Sequence, residues 1–177
     1  MSAAPPAANG REPGWIGGYA SLFGRLDQAG DRVEAGAFAR SLRERGANGI
    51  RMLWQHDPGE PIGVWTRLTE DARGLWAEGR VSLRTRRGRD AFELLDAGAV
   101  DGLSIGFRTR RDQPVSRSGA LRRRLLDIDL WEISLVTFPM QDAARVVRSH
   151  RLSRDLFDRF AAAARRMGPR PALPVRA

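Results

Sequence analysis

The chain has 177 residues, of which 42% are hydrophobic and 29% are charged, a composition typical of a globular domain with a real core. Its net charge is +9 and every basic residue is arginine, which raises nucleic-acid binding as one interpretation. No apolar run approaches the roughly 20 residues that a membrane-spanning helix needs. The absence of cysteine excludes disulfides, thiol nucleophiles and thiolate metal sites.

The first half of the chain predicts strands, because short runs of apolar residues are bounded by turn residues. These runs cover residues 15–24, 51–56, 63–70 and 75–83. A short amphipathic helix is predicted over residues 37–45, ending at Gly46. In the second strand His56 is expected on the same face as Met52 and Trp54, with a proline-braced loop DPGEP after it.

The second half predicts a helix over residues 87–97 and strands over 103–109 and 124–136, with a polar loop at 112–120. The sum is a mainly β fold with flanking helices (α+β): a small antiparallel β-barrel or strongly curved sheet of about six or seven strands. The chain is predicted to divide into a disordered tail (residues 1–14), a β-barrel domain (15–147), an amphipathic helix (148–167) and a second disordered tail (168–177).

The stretch GLSIGF is the first candidate for chemistry. It reads as a strand with Leu103, Ile105 and Phe107 on one face and Ser104 on the other, between Gly102 and Gly106. Glycine weakens a strand and often marks the close approach of a ligand or another backbone. Ser104 is therefore a candidate nucleophile facing a peptide, with Gly102 and Gly106 as candidate substrate-binding positions. The alternative is a bend in a small barrel, where small residues relieve crowding.

A serine nucleophile needs a base, which is usually oriented by a third group. Of the two histidines, His150 lies in a polar run and reads as a solvated residue, which leaves His56 as the candidate base. Glu132 is the candidate orienter, since the alternation of IDLWEISLV places it in an apolar strip with Ile128, Leu130, Ser134 and Val136. An ion pair with an arginine is the alternative role for Glu132, and Asp57 is the competing orienter.

Other catalytic classes find little support in the sequence. Two histidines in dissimilar settings and no cysteine give no adequate metal-ligand cluster. There is no P-loop, no Rossmann glycine motif and no GxSxG nucleophile elbow. We therefore expect neither a metal nor a cofactor.

Four segments in order, GYASLFG, MLWQHDPGEPIG, GAVDGLSIGF and DLWEISLVTFPM, resemble the prohead (capsid-maturation) serine proteases of tailed phages. The resemblance covers roughly residues 15–147 and is strongest to versions from prophages and gene-transfer agents. It implies a herpesvirus-assemblin-like β-barrel peptidase of Ser-His-Glu type, whose serine, histidine and third member fall on Ser104, His56 and Glu132.

The resemblance also implies the substrates and the setting. Family members cleave the scaffolding segment of the major capsid protein, and themselves, inside procapsids assembling in the bacterial cytoplasm. The expected partners are thus the major capsid protein and a second copy of the chain; a homo-oligomer is left open, and neither a membrane nor specific nucleic-acid binding is expected. A catalytically inactive internal scaffold of the capsid is the alternative from another class.

Overall fold

The computed structural model describes residues 13–115 and 119–149, which build a curled, eight-stranded sheet with two short helices. The strands are β1 Trp15–Leu22, β2 Asp31–Val33, β3 Arg51–Trp54, β4 Asp57–Glu70, β5 Gly74–Val81, β6 Gly102–Pro114, β7 Arg123–Val136 and β8 Val146–Ser149. Helix α1 spans Ala39–Arg45 and helix α2 spans Arg86–Asp96. The predicted mainly β fold with flanking helices is confirmed.

The sheet is curled, so that β6 at one end approaches β8 at the other. Its strand order is β2-β7-β3-β4-β5-β1-β8, and β6 pairs with β7 off this path. The start of β6 meets the chain entering β8, where Leu103 N donates to Ala144 O (2.9 Å) and Gly102 forms an isolated bridge with Arg145. Strand β7 is central to the site, because β6 pairs with it antiparallel while β2 and β3 pair with it parallel.

Two of the eight strands are absent from the sequence prediction. Strands β2 and β8 have only three and four residues, too few for alternation to be visible. The prediction of a loop at DPGEP is also wrong, because β4 already begins at Asp57 and includes these five residues. The prolines are tolerated because the pairing there is irregular: Leu53 faces Pro61 whereas the next residue, Trp54, faces Asp57. Strand β6 likewise extends to Pro114, into the predicted polar loop.

A bulge in β7 changes which side chains face the core. Gly106 pairs with Glu132 but the next residue, Phe107, pairs with Leu130, which leaves Trp131 as an extra residue on β7. The prediction that Glu132 and Ser134 share one face of β7 with Ile128 and Leu130 is therefore wrong. The core side chains of β7 are Ile128 and Leu130 before the bulge and Ile133 and Leu135 after it. Glu132 and Ser134 consequently lie on the face of the sheet opposite this core.

Both helices end at the glycines that the sequence indicates. Gly46 follows α1 with φ 61° and Gly98 follows α2 with φ 74°, a left-handed conformation that glycine adopts without strain. Within the described residues, no helix is both long and apolar enough to cross a membrane. Residues 148 and 149, the start of the segment 148–167 predicted as a helix, belong to β8. The rest of that segment with His150, the C-terminal tail, and the N-terminal tail up to residue 12 lie outside the described residues.

Candidate active site

The candidate nucleophile lies on the face of β6 that points away from the core. Leu103, Ile105 and Phe107 pack in or against the core cluster, as the alternation predicts. Ser104 is directly opposite Ser134 of β7, and its side chain is only 3% exposed. Within the described part of the chain its Oγ has no hydrogen-bond partner. A buried, unpaired hydroxyl is unfavourable in a folded protein and is often explained by a catalytic role.

His56 lies in a tight turn and not on a strand, so its predicted face on β3 is wrong. Trp54 and Asp57 pair across the β3–β4 hairpin, which leaves Gln55 and His56 as a two-residue turn. Both have positive φ, 52° and 62°. Two-residue hairpin turns favour this conformation at both positions, but normally with Asn or Gly. Glutamine and histidine in left-handed conformations are strained, and such strain is concentrated at functional sites.

Contacts with β7 and the residue after it hold this turn in place. Gln55 N donates to Leu135 O (3.0 Å), and the Gln55 side-chain amide donates to Thr137 Oγ1 (2.7 Å) while its Oε1 accepts from Thr137 N (3.3 Å). His56 N donates to Ser134 Oγ (3.1 Å). The strained turn is thus stabilised by a neighbouring strand and not by its own sequence.

The imidazole of His56 is bonded to Glu132. His56 Nδ1 and Glu132 Oε1 are 2.6 Å apart, and Glu132 Oε2 accepts from Ser134 Oγ at the same distance of 2.6 Å. The hydrogen bond to Glu132 raises the pKa of His56 above its usual value, although partial burial opposes the shift. A proton on Nδ1, facing the carboxylate, leaves Nε2 to act as a base. The imidazole is 42% exposed, which leaves it accessible to a substrate.

The two glycines beside Ser104 make room for other parts of the protein. A Cβ at position 106 would collide with Glu132 Oε1, the atom that binds His56. A Cβ at position 102 would lie 2.6 Å from Val136 O and 2.8 Å from Pro139 Cδ. The His56–Glu132 bond therefore lies over Gly106, two residues along β6 from Ser104 and on the same face.

The structure brings together only part of the predicted constellation in direct contact. His56 and Glu132 are hydrogen-bonded, whereas Ser104 lies on the neighbouring strand and makes no hydrogen bond to either within the described residues. Asp57, the competing orienter, is exposed and its Oδ1 accepts from Gly59 N (2.8 Å), so it stabilises its own segment of chain.

Two residues of the site were not selected from the sequence. Ser134 bonds both to Glu132 and to the backbone of His56, and Gln55 anchors the turn. Ser134 could have been found from its position two residues after Glu132, on the same strand face. Gln55 carries no sequence signal, because its role depends on a turn that its residue type does not indicate.

A cavity of about 150 Å³ borders Ser104. Apolar residues of β6 form one wall, and Met140, Asp27 and Asp31 also line the cavity. Asp31 is paired with Arg123, and burial raises the pKa of Asp27. Cavities of comparable size accept a benzene-sized apolar molecule, so one apolar side chain of a peptide fits this space.

Arginines cluster in the sequence at residues 84–89, 108–111 and 122–124, and carboxylates partly neutralise each cluster. Arg87 pairs with Glu60, Arg124 with Glu34, and Arg110 with both Glu44 and Asp129. Each of the three clusters therefore contains at least one arginine in an ion pair. This pairing weakens the interpretation of the clusters as a free basic surface for nucleic acid.

Comparison with known proteins shows which family the chain belongs to. The model of the caudovirus prohead serine proteases matches residues 4–156. The prohead protease of enterobacteria phage HK97 is 31% identical over 131 residues, covering 73% of this chain and 57% of that protein. The capsid polyprotein of Pseudomonas phage PAJU2 is 29% identical over 112 residues, covering 60% of this chain and 16% of the polyprotein. The chain thus spans little more than half of the first relative and a small part of the second.

Solved structures support the same fold at low sequence identity. The capsid assembly protease of bacteriophage T4 superimposes with a TM-score of 0.55 at 11% identity, covering 71% of this chain and 82% of that one. The KSHV protease, solved with a hexapeptide phosphonate inhibitor, gives a TM-score of 0.51 at 12% identity, covering 86% and 76%. The predicted assemblin-like fold is confirmed. With its sequence matched over most of its length, the chain belongs to the caudovirus prohead serine protease family.

Proposed function

We propose that this protein is a serine endopeptidase of Ser-His-Glu type that processes the major capsid protein, its scaffolding segment and its own chain during procapsid maturation. The observation that carries the proposal is the His56–Glu132 hydrogen bond, which lies over Gly106 on the same strand face as Ser104. Family membership supports the reaction class. The proposed setting is the interior of procapsids assembling in the bacterial cytoplasm.

The proposed mechanism assigns one role to each side chain. Ser104 Oγ attacks the carbonyl carbon of the scissile peptide while His56 Nε2 takes its proton. His56 then returns that proton to the leaving amine, which leaves the acyl group bound to Ser104 Oγ. Water attacks this acyl group as His56 takes a proton from the water, and the proton then returns to Ser104 Oγ as the acyl group leaves. Glu132 holds the imidazole through Nδ1 and stabilises the imidazolium form, consistent with the raised pKa of His56.

Attack requires the Ser104 hydroxyl to come within hydrogen-bond reach of His56. Because Oγ is buried and unpaired within the described residues, this step needs a side-chain rotation or a small shift of the turn. Catalytic hydrogen bonds that are long or unmade in a free enzyme often tighten only when substrate binds. Substrate binding is thus the proposed trigger that completes the triad.

Strand addition along β6 is the proposed mode of substrate binding. Within the described residues β7 is the only strand that pairs with β6 over its length, and the isolated bridge to Arg145 occupies only its start. The other edge of β6 beyond Ser104 is therefore available to an extended peptide. Gly102 and Gly106 remain proposed substrate-binding positions, and we assign one apolar substrate side chain to the cavity beside Ser104.

The test is to mix the protein with the major capsid protein of the same genome and to measure intact masses over time. The wild type is expected to release defined fragments, and Ser104→Ala to lower the rate by about 10⁴-fold or more. Ser41→Ala is the matched control, since Ser41 is also fully buried but bonds to the backbone of β7 away from the site. Ser104→Ala protein that processed the precursor at a near-normal rate would contradict the proposal.

The alternative is a catalytically inactive internal scaffold, which is favoured by the lack, within the described residues, of a hydrogen bond between Ser104 and His56. A scaffold leaves the precursor intact in the same experiment and still changes the rate or the size of capsid assembly. Light scattering of the assembly mixture, recorded alongside the masses, separates the two functions.

A further inference from the structure

Ser134 has the contacts of a residue that organises the site, although it was not selected as part of the triad. Its side chain is fully buried in β7. Its Oγ donates to Glu132 Oε2 (2.6 Å) and accepts from His56 N (3.1 Å). One hydroxyl therefore joins the carboxylate of Glu132 to the backbone of the turn that carries His56.

The direction of both bonds follows from the groups involved. The backbone N–H of His56 can only donate, so Ser134 Oγ must accept that bond. An ionised carboxylate can only accept, so the single proton of the Ser134 hydroxyl is committed to Glu132. Ser134 then has no proton left for Ser104, which lies directly opposite it and is unpaired within the described residues. Of the two facing serines, only Ser104 has a free proton to transfer.

The contact with Glu132 matters because the carboxylate has little freedom. Oε1 lies where a Cβ of residue 106 would be and binds His56 Nδ1. With Oε2 bound by Ser134, both oxygens have a defined partner and the plane of the carboxylate is set. Without the Ser134 hydroxyl, Glu132 Oε2 would lose its hydrogen-bond donor, and the carboxylate could turn away from the imidazole.

The contact with His56 matters because its backbone is strained. His56 has φ 62°, and its N–H bond to Ser134 Oγ joins this left-handed residue to β7. Loss of that bond would allow the turn, and with it the imidazole, to shift. A displacement of 1 Å is enough to lower a catalytic rate by about 10²-fold.

We propose that Ser134 is a positioning residue of this protease: its hydroxyl fixes the Glu132 carboxylate and the His56 turn relative to each other. The inference rests on the proposed Ser104–His56–Glu132 mechanism. Ser134 takes no part in proton transfer, so its effect on the reaction is exerted through His56 and Glu132.

The test measures the His56–Glu132 contact without relying on activity. In a Ser104→Ala, His150→Ala background, which prevents self-cleavage and leaves one histidine, the His56 ring resonance is titrated by NMR. Adding Ser134→Ala is expected to move the pKa of His56 down towards its usual value, because the bond to Glu132 that raises it is weakened. Adding Ser41→Ala, which removes an equally buried serine hydroxyl with two hydrogen bonds, should leave the titration unchanged.

The matching kinetic arm uses the otherwise wild-type enzyme. Ser134→Ala should lower kcat by about 10²-fold with little change in KM, and Ser41→Ala should change neither. If Ser134→Ala does not fold, Ser134→Cys keeps the shape with a weak donor and should show the same losses. An unchanged titration in the Ser134 variants, or equal effects of the Ser134 and Ser41 variants, would overturn the proposal. An inactive wild type would instead contradict the protease mechanism, while the titration would still test Ser134.

Discussion

The two hairpin turns at the ends of β4 are formed in opposite ways. In the β4–β5 turn, Asp71 N donates to Gly74 O (2.9 Å) and Asp71 Oδ1 accepts from Arg73 N (2.7 Å), so the turn is closed by its own residues. The Tyr19 hydroxyl and Phe23 N also donate to this turn, but neither sets its conformation. In the β3–β4 turn, Gln55 and His56 are left-handed and bond to residues about 80 positions away. The first turn follows from local sequence, whereas the second is imposed by tertiary contacts and carries the candidate catalytic base.

The strongest test of this difference between the two turns is to alter one side chain in each. His56→Ala is expected to lower kcat/KM for precursor cleavage by about 10⁴-fold, because His56 is the proposed acceptor of the Ser104 proton. Asp71→Ala removes two hydrogen bonds within its turn and a third from the Tyr19 hydroxyl, and should reduce the free energy of unfolding by about 2 kcal/mol, measured by urea denaturation. Its kcat/KM per folded molecule should stay at the wild-type value. A loss of activity in Asp71→Ala comparable with that in His56→Ala would contradict the assignment of function to one turn only.

The next effect in size comes from the partner of the His56 turn. Glu132→Gln is expected to lower kcat by roughly 10³-fold, less than loss of His56. The bond to Glu132 raises the pKa of His56, and below that pKa the imidazole is protonated and cannot accept a proton from Ser104. Removing the carboxylate charge lowers this pKa, so the acid limb of the kcat/KM profile should move to lower pH. Glu44→Gln, at an exposed ion pair with Arg40, is the control and should leave the limb in place.

A smaller loss is expected from filling the space beneath the His56–Glu132 bond. Gly106→Ala places a Cβ where Glu132 Oε1 lies, which displaces the carboxylate from the imidazole. We expect a decrease in kcat of about 10²-fold, measured on the capsid precursor. Gly59→Ala is the control on β4, because its added Cβ meets only Asp57 Oδ1 at 3.2 Å. Wild-type kcat in Gly106→Ala would show that the observed carboxylate position is not needed for catalysis.

The smallest effect isolates the strain of the second turn. Gln55→Ala and Gln55→Gly both remove the side-chain bonds to Thr137, but only glycine accepts φ 52° without strain. The glycine variant should therefore be more stable than the alanine variant by about 1 kcal/mol in urea denaturation. Equal stabilities would mean that the left-handed conformation of residue 55 carries no measurable strain.

The sequence was most informative where the chain is regular. Ser104 was assigned to the correct face of β6, because residues 102–106 pair with β7 without interruption and the alternation holds. The ends of both helices were predicted because glycine in a left-handed conformation is a local signal. The alternation of β7 places Ser134 correctly on the face of Glu132, but Ile128 and Leu130, predicted on that face, point into the core.

The errors at the site lie where distant contacts decide the conformation. The bulge at Trp131 moves Glu132 away from the core face, and the turn at Gln55 and His56 takes the imidazole off the strand. Neither position has the glycine, asparagine or proline that would have signalled the irregularity. The sequence places Ser134 beside Glu132, but its importance follows from its contact with His56, which only the tertiary structure shows.

The sequence by itself determined which residue types are available for chemistry, the apolar alternation of the long strands, and the small residues around Ser104. The tertiary structure decided the contact between His56 and Glu132, which are 76 residues apart, and the role of Ser134 between them. The physical reason is that strand periodicity is a property of neighbouring residues. A bulge or a strained turn is instead stable only when a strand from elsewhere in the chain supplies the compensating hydrogen bonds.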